Sequence, residues 1–301
     1  MRARVISAAM PARVPRPPAG GPGTARHGLA REIARRGACS RSRAEAAVRA
    51  GRVRVEGRPV RDPQWPCLPQ TAIELDGMPV LPAPPVYLAL NKPRGVVTTA
   101  RDERGRDALY ALLADAALPW VAPVGRLDKA SEGLLLLSND SVWAAALTDP
   151  QRHVRKTYHV QVRGVPDAAA LAALHAGVHD RGEHLAVASA LLLRSGGRTA
   201  WLECVLIEGR NRHLRRLLAA LGYEVRRLLR VAIGPLALGH LPRGAWRRLG
   251  DGEVAALARA AGLTANPGCV ASSPAAVRKW PAAAPRARGR SPAGRGSRAR
   301  C

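Results

Sequence analysis

Four consecutive leucines at residues 134–137 lie in the segment VGRLDKASEGLLLLSND, residues 124–140. An apolar run of this length between polar residues is typical of a short strand that is buried on both faces. Such a strand requires packed layers on either side, so the run already predicts a sizeable folded domain.

The surrounding sequence mixes strands and helices without the regular spacing of βαβ units. Residues 87–90 are predicted to form a further strand, and apolar residues alternate along two more, at residues 156–162 and 200–207. Leucines share one face of an amphipathic helix predicted at residues 211–221. We therefore expect an α+β domain over residues 87–252 with a mixed, largely antiparallel sheet.

A second, smaller unit is predicted at residues 28–77. Two short helices come first, with Ser40 as the N-cap of the second. A hairpin follows, with its turn at Glu56 and Gly57. Prolines in residues 78–86 predict an extended, semi-rigid linker between the two domains.

Both ends of the chain differ from these domains. Residues 1–27 and 253–301 are rich in Pro, Gly, Ala and Arg and show no apolar periodicity, so we predict two disordered basic arms. An Arg-rich, acid-poor start leaves organelle targeting open as an alternative to a cytoplasmic location.

The charge indicates a polyanionic partner. The chain has 48 Lys and Arg against 22 Asp and Glu, a formal net charge of +26, and only four of the basic residues are lysines. Arginine binds phosphate with a planar, permanently charged fork, which favours nucleic acid over a membrane surface. No apolar run approaches the ~18 residues of a spanning helix.

Cofactor motifs are absent from the sequence. It contains no Walker A loop, no GxGxxG, no GxSxG and no HExxH, and its five cysteines are odd in number and widely spaced. We therefore expect reduced thiols, a cytoplasmic protein, and a reaction without cofactor or metal.

Asp128 is the strongest candidate for chemistry on residue type alone. It lies between Arg126 and Lys129, just before the leucine run. Neighbouring cations favour the charged form of a carboxyl group, and a positioned carboxylate can act as a nucleophile or a general base. The same position also suits an ordinary turn residue.

A family resemblance extends this interpretation across the chain. GRLDKASEGLLLLSND resembles the signature of the pseudouridine synthases, in particular the RsuA/RluB/RluE/RluF family of ribosomal RNA enzymes. ALNKPRGVVTTARDERGR, DPQRHVRKTYHVQVRGVP and the block from residue 206 to 249 resemble that family's other motifs, in the same order. Residues 28–77 resemble the RNA-binding domain named after ribosomal protein S4.

The resemblance implies roles for individual residues. Asp128 would attack the ribose anomeric carbon or otherwise assist glycosidic cleavage, and Tyr158 would stack on the uracil. Arg215 would pair with Asp128, and Leu228 would pack against a base flipped into the pocket. Arg126 would replace the extruded base or hold its phosphate.

Several other arginines are expected to bind RNA. In the catalytic domain, the expected substrate contacts are Arg210, Arg212 and Arg216, of which Arg212 and Arg216 are placed on the open face of the helix. In the N-terminal domain, the resemblance implies contacts from Arg41, Arg43, Arg49 and Arg52.

Three functions are compatible with these features. The first is a pseudouridine synthase acting as a monomer on ribosomal RNA or ribosome-assembly intermediates, with the large-subunit (23S) RNA preferred to the small-subunit (16S) RNA. The second is a non-catalytic RNA-binding assembly factor. The third, a DNA-binding protein, lacks a recognition-helix or zinc-finger pattern. The intact motif around Asp128 favours the first.

Overall fold

A computed structural model describes residues 27–98, 108–113 and 118–264 of the 301. The predicted N-terminal arm, apart from its last residue, and residues 265–301 of the predicted C-terminal arm lie outside this range.

Two short helices and a small sheet form the N-terminal domain. In chain order its elements are β1 (His27–Gly28), α1 (Leu29–Arg35), α2 (Arg41–Arg49), β2 (Val53–Val55), β3 (Arg58–Pro59), β4 (Pro66–Cys67), β5 (Ile73–Leu75) and β6 (Met78–Pro79). Strands β3, β2, β5 and β6 form an antiparallel sheet in that order, while β1 pairs with β4. The Ser40 hydroxyl accepts a hydrogen bond from the Arg43 amide (3.3 Å), which confirms the predicted N-cap.

The linker is shorter than predicted. Residues Met78–Pro79 pair with β5, and Val80 is buried in the N-terminal core. Val86 is already part of the catalytic core. The prolines mark an extended segment, but packing at both ends reduces the linker to residues 81–85.

The two domains touch at the turn after α1. The Trp120 amide donates to the Gly37 carbonyl (2.8 Å), and the Ala83 amide donates to the Arg36 carbonyl (3.2 Å). Gly37 has φ +75°, and a Cβ there would lie 3.0 Å from the Pro119 side chain. The turn thus needs glycine for both its backbone conformation and the close approach.

A nine-stranded sheet organises the catalytic domain. Its elements are β7 (Tyr87–Lys92), α3 (Ala108–Ala111), β8 (Ala122–Val124), β9 (Glu132–Ser138), α4 (Ser141–Thr148), β10 (Lys156–Arg163), α5 (Ala168–Ala176), β11 (Val178–Asp180), β12 (Glu183–Leu185), β13 (Ser189–Gly196), β14 (Thr199–Leu206), α6 (His213–Ala220), β15 (Val225–Ile233), β16 (Leu236–Ala237), β17 (Trp246–Arg248) and α7 (Asp251–Ala260).

Strand order in this sheet is β13-β14-β10-β15-β9-β7-β17, with β8 added to β9 and β16 added to β15; β11 and β12 form a separate hairpin. Strand β9 runs parallel to β15, whereas the other described pairings of this sheet are antiparallel. The predicted α+β class and largely antiparallel sheet are confirmed.

The leucine run forms the centre of the core. All seven residues of β9 are buried, with Leu134 and Leu136 packed on the side of α4 and α7, and Leu135 and Leu137 on the side of α3. Complete burial of each leucine stabilises the fold by roughly 1.5–3 kcal/mol. A strand covered on both sides is what the uninterrupted apolar run predicts.

Helix α7 corrects the predicted C-terminal boundary. Val254 and Leu257 are 5% and 0% exposed and pack with Trp143 of α4. The prediction that the basic arm starts at residue 253 is therefore wrong up to residue 264. Helix α7 is rich in alanine and resembles the arm in composition, but its apolar residues pack into the core beside β9.

Candidate active site

A cavity of about 400 Å³ opens between the segment that precedes β9, strands β10 and β15, and the start of α6. Among its lining residues are six of the eight predicted catalytic and substrate-binding residues, namely Arg126, Asp128, Tyr158, Arg210, Arg212 and Leu228. Residues far apart in sequence thus meet in one pocket.

Asp128 lies on the segment between β8 and β9. The backbone of Asp128 is held by Lys92, whose side chain is 0% exposed. The Lys92 ammonium donates hydrogen bonds to the carbonyls of Pro93 (3.2 Å), Asp128 (3.1 Å) and Ser131 (2.7 Å). The half-buried Asp128 carboxylate lines the cavity and makes no hydrogen bond or ion pair with any described residue.

Burial lowers the pKa of Lys92 to about 8, an effect that the charges of Asp128 and Glu132 partly oppose. The glutamate forms an ion pair with Arg227 at 2.9 Å, so its charge is already neutralised locally. Lys92 is consequently charged at neutral pH, but its pKa lies only about one unit above that pH.

Tyr158 and Leu228 lie on adjacent strands. Tyr158 of β10 is directly opposite Arg230 of β15, and Leu228 is opposite Val160, so the Tyr158 and Leu228 side chains project to the same side of the sheet, where both line the pocket. A half-buried aromatic ring and an apolar side chain together make a suitable slot for a planar base.

The predicted pairing of Arg215 with Asp128 is absent from the structure. The Arg215 guanidinium instead donates to the carbonyls of Ala130 (3.0 Å) and Val225 (3.3 Å), and no ion pair joins it to Asp128. Burial, reinforced by the charge of Arg212, lowers its pKa, whereas the charge of Asp128 raises it. Arg215 therefore holds the backbone beside Asp128 rather than its carboxylate.

The arginines around the start of α6 differ in availability. Arg212 is exposed, has φ +50° as the N-cap residue and makes no ion pair with a described residue. Arg210 is bound to Glu208 (2.9 Å) and more loosely to Glu183 (3.7 Å). Both line the pocket, but only Arg212 presents an uncommitted guanidinium there.

Arg216 does not lie on the open face of the helix, contrary to the prediction. Its side chain is 12% exposed and is bound to Asp180 and Glu183 of the β11–β12 hairpin. Two carboxylates already neutralise this guanidinium, so it fixes the hairpin against α6 and is not a phosphate contact.

Several polar and charged pocket residues were not among those predicted from the sequence. Lys156 and Arg230 stand two positions from Tyr158 and Leu228 on their strands, so the period of two in β structure could have found them. Ser131 follows Asp128 by three residues. His213, 3% exposed, starts α6, and burial lowers its pKa, so its imidazole is neutral at pH 7.

The predicted RNA-binding arginines of the N-terminal domain all lie on its surface. Arg41 and Arg49 flank Glu45 at 3.2 and 3.7 Å, and Arg52 is bound to Asp76, whose pKa this hydrogen bond lowers. Exposed ion pairs contribute little to stability, so these guanidinium groups can exchange a carboxylate for a phosphate.

Two kinds of feature are absent from the described part of the chain, namely membrane-spanning helices and clusters of metal ligands. None of their helices has the length and apolar character needed to cross a bilayer. No group of three His, Cys, Asp or Glu side chains within the same ranges is arranged to hold a metal ion.

Comparison with known proteins assigns the chain to a family. The RNA pseudouridylate synthase family matches residues 86–220, and the S4 domain family matches residues 28–73. An RNA pseudouridine synthase of Aquifex aeolicus, itself uncharacterised, is 38% identical over 75% of this chain and 92% of its own length.

Two further relatives agree with this. The ribosomal large subunit pseudouridine synthase B of Bacillus subtilis is 36% identical over 75% of this chain and 93% of its own length. A crystal structure of a pseudouridylate synthase, 28% identical, covers 77% of this chain and 99% of that protein with a TM-score of 0.54. The chain therefore belongs to the RsuA/RluB/RluE/RluF family of RNA pseudouridine synthases and carries an S4 domain at its N-terminus.

Proposed function

We propose that this enzyme isomerises uridine in ribosomal RNA, with the large-subunit (23S) RNA as its substrate and Asp128 as its nucleophile. The observation that carries the proposal is the Asp128 carboxylate, which has no partner among the described residues and lines the same cavity as Tyr158 and Leu228. The name of the Bacillus subtilis relative supports the choice of large-subunit RNA. We further propose that the enzyme acts as a monomer in the cytoplasm, on ribosomal RNA or on ribosome-assembly intermediates.

The reaction needs few groups. A target uridine flips out of folded RNA and its uracil enters the slot. An oxygen of Asp128 bonds to ribose C1′ while the bond from C1′ to N1 breaks, and its electron pair remains on the uracil. After the ring turns, C5 bonds to C1′ and the carboxylate departs. N1 gains a proton and C5 loses one, so the product is an isomer of the substrate.

RNA binding is divided between two surfaces in this proposal. Arg126 and Arg212 hold phosphates at the mouth of the pocket, where Arg210 adds a partly neutralised charge. The arginines of α2, together with Arg52, grip a structured RNA element beyond the target nucleotide. Both surfaces act by charge neutralisation, so binding weakens as the salt concentration rises.

Mapping of pseudouridines with carbodiimide in ribosomal RNA, from cells with and without the gene, identifies the substrate. Loss of a signal in 23S RNA supports the proposal. Loss in 16S RNA would assign the small subunit, and unchanged signals in both would exclude ribosomal RNA.

Asp128→Asn tests the nucleophile on purified RNA. We expect no product but nearly unchanged RNA affinity, because the side chain keeps its shape and loses its charge. Asp167→Asn is the matched control: Asp167 caps α5 through the Ala170 amide (2.8 Å), and asparagine caps equally well. An active Asp128→Asn enzyme would contradict the mechanism.

A further inference from the structure

Unpaired buried polar atoms are concentrated at the pocket. Within the described residues, such side-chain atoms belong to Ser131, Trp143, His213, Arg215 and Arg230. Three of these five residues, Ser131, His213 and Arg230, line the cavity. Because nearly all buried polar groups in folded proteins have a partner, this concentration distinguishes the pocket from the rest of the described core.

Arg230 is the most costly of the three to leave unpaired. It is 5% exposed, and its Nε donates to the Leu134 carbonyl at 2.7 Å. Its Nη2 is buried without a partner, and no described carboxylate lies within ion-pair distance of the guanidinium. Burial of a permanent charge without a counter-charge costs several kcal/mol, so packing alone does not account for an arginine here.

Arg230 lies beside the proposed slot for the base and not on the exposed surface proposed to bind RNA. It is directly opposite Tyr158, and it lies two residues from Leu228 on the same side of β15. These are the two side chains that form the slot for the base. Because Arg230 lines the same cavity, it is placed to donate to the edge of a uracil ring held in that slot.

The charge of Arg230 acts on two nearby lysines. It contributes to the lowered pKa of both Lys92 and Lys156, in each case after burial. Lys92, Lys156 and Arg230 thus create a region of positive potential near the proposed nucleophile, and Arg230 is the member whose charge is permanent.

We propose that Arg230 is a further catalytic residue, which binds the uracil ring and stabilises the negative charge that the ring acquires when its bond to ribose breaks. The electron pair of the C1′–N1 bond passes to N1 and spreads over the two ring carbonyl oxygens, which accept hydrogen bonds from the guanidinium. A preorganised donor in a water-poor site stabilises such a charge strongly. This inference rests on the proposed function, since it requires a uridine in the slot.

Arg230→Met and Arg230→Gln test the proposal by removing the charge. The glutamine variant keeps a polar donor. Thermal melting establishes which variants are folded. Arg226→Met is the matched control, because Arg226 is exposed on the same strand and is bound to Glu224. At saturating RNA we expect a single-turnover rate roughly 10²–10³-fold lower than wild type for the Arg230 variants. RNA affinity and the control enzyme should be nearly unchanged.

Substrate RNA with 5-fluorouridine at the target position separates charge stabilisation from mere positioning. Fluorine withdraws electrons and makes the uracil anion less dependent on the enzyme, so cleavage of the fluorinated nucleoside should lose much less rate in the Arg230 variants than cleavage of uridine. Equal losses on the two substrates, or folded variants with wild-type rates, would overturn the proposal. Either result leaves the role of Asp128 untouched, because that is decided by Asp128→Asn.

Discussion

The ammonium of Lys92 donates a hydrogen bond to the backbone carbonyl of Asp128 at 3.1 Å. Lys92 belongs to β7 and Asp128 to the segment before β9, so the contact ties the proposed nucleophile to the strand that pairs with β9. Lys92 also binds the Ser131 carbonyl and therefore holds both ends of the turn that follows Asp128.

Lys92→Met should lower the rate of isomerisation by roughly 10²-fold, because a small displacement of a reacting group has an effect of that size. Methionine fills the space of the lysine stem but donates no hydrogen bond to the Asp128 and Ser131 carbonyls. Single-turnover rates and RNA affinities measure the effect. Lys129→Met, at the exposed position next to Asp128, is the control; equal losses in the two variants would contradict a specific role of Lys92.

Lys92 also predicts a pH dependence of stability. Its pKa is about 8 in the folded protein, below the ordinary value of 10.5 that applies to the unfolded chain. Between these values the unfolded state binds more protons, so the contribution of Lys92 to the free energy of unfolding rises with pH across this window and is lost as pH falls through about 8. Urea denaturation of wild type and Lys92→Met from pH 7 to 10.5 should show a difference that grows in favour of wild type. A constant difference would mean that Lys92 does not titrate in this range.

Gly133→Ala should disrupt the junction of β9 and β15. Gly133 has φ +104°, and a Cβ there would lie 2.3 Å from the Arg230 carbonyl oxygen. We expect the steric contact to cost roughly 1–3 kcal/mol, in addition to about 1–2 kcal/mol for the left-handed backbone. Gly182→Ala is the matched control, with φ +76° and no atom within 4 Å of a new Cβ. Urea denaturation should find Gly133→Ala the less stable of the two; similar values would refute the steric argument.

Arg212→Gln and Arg216→Gln should have opposite effects. The first removes an uncommitted guanidinium at the pocket, so the slope of log affinity against log salt should become shallower by about 1. The second removes a group already neutralised by Asp180 and Glu183, so the melting temperature should fall and the salt slope should not change. Filter binding at several salt concentrations and thermal melting of the free proteins decide between them. A shallower slope for Arg216→Gln would restore it as a phosphate contact.

The sequence predicted those features that depend on local pattern. The leucine run identified β9, and the alternation around Tyr158 identified β10, because strand periodicity is written in neighbouring residues. The motifs also led to Asp128 and Leu228, whose side chains the structure brings to one cavity.

Features that depend on distant partners were not predictable in this way. Arg216 was assigned to RNA because its partners, Asp180 and Glu183, are more than 30 residues away on a separate hairpin. Arg230 was not predicted as a site residue, since its burial results from the contact of β15 with β9. Helix α7 was missed because its alanine-rich sequence does not differ from the basic arm until its packing against α4 is known.

The parallel pairing of β9 with β15 also has a consequence during synthesis on the ribosome. It joins Glu132 to Leu229 and Gly133 to Arg230, residues almost 100 positions apart. Closing a loop of this size is slow relative to forming a hairpin, so these contacts form late in folding. A nascent chain that ends before β15 already contains Asp128 and Tyr158 but lacks Leu228 and Arg230, half of the slot for the base. The slot for the base is therefore complete only after the chain has been made through β15.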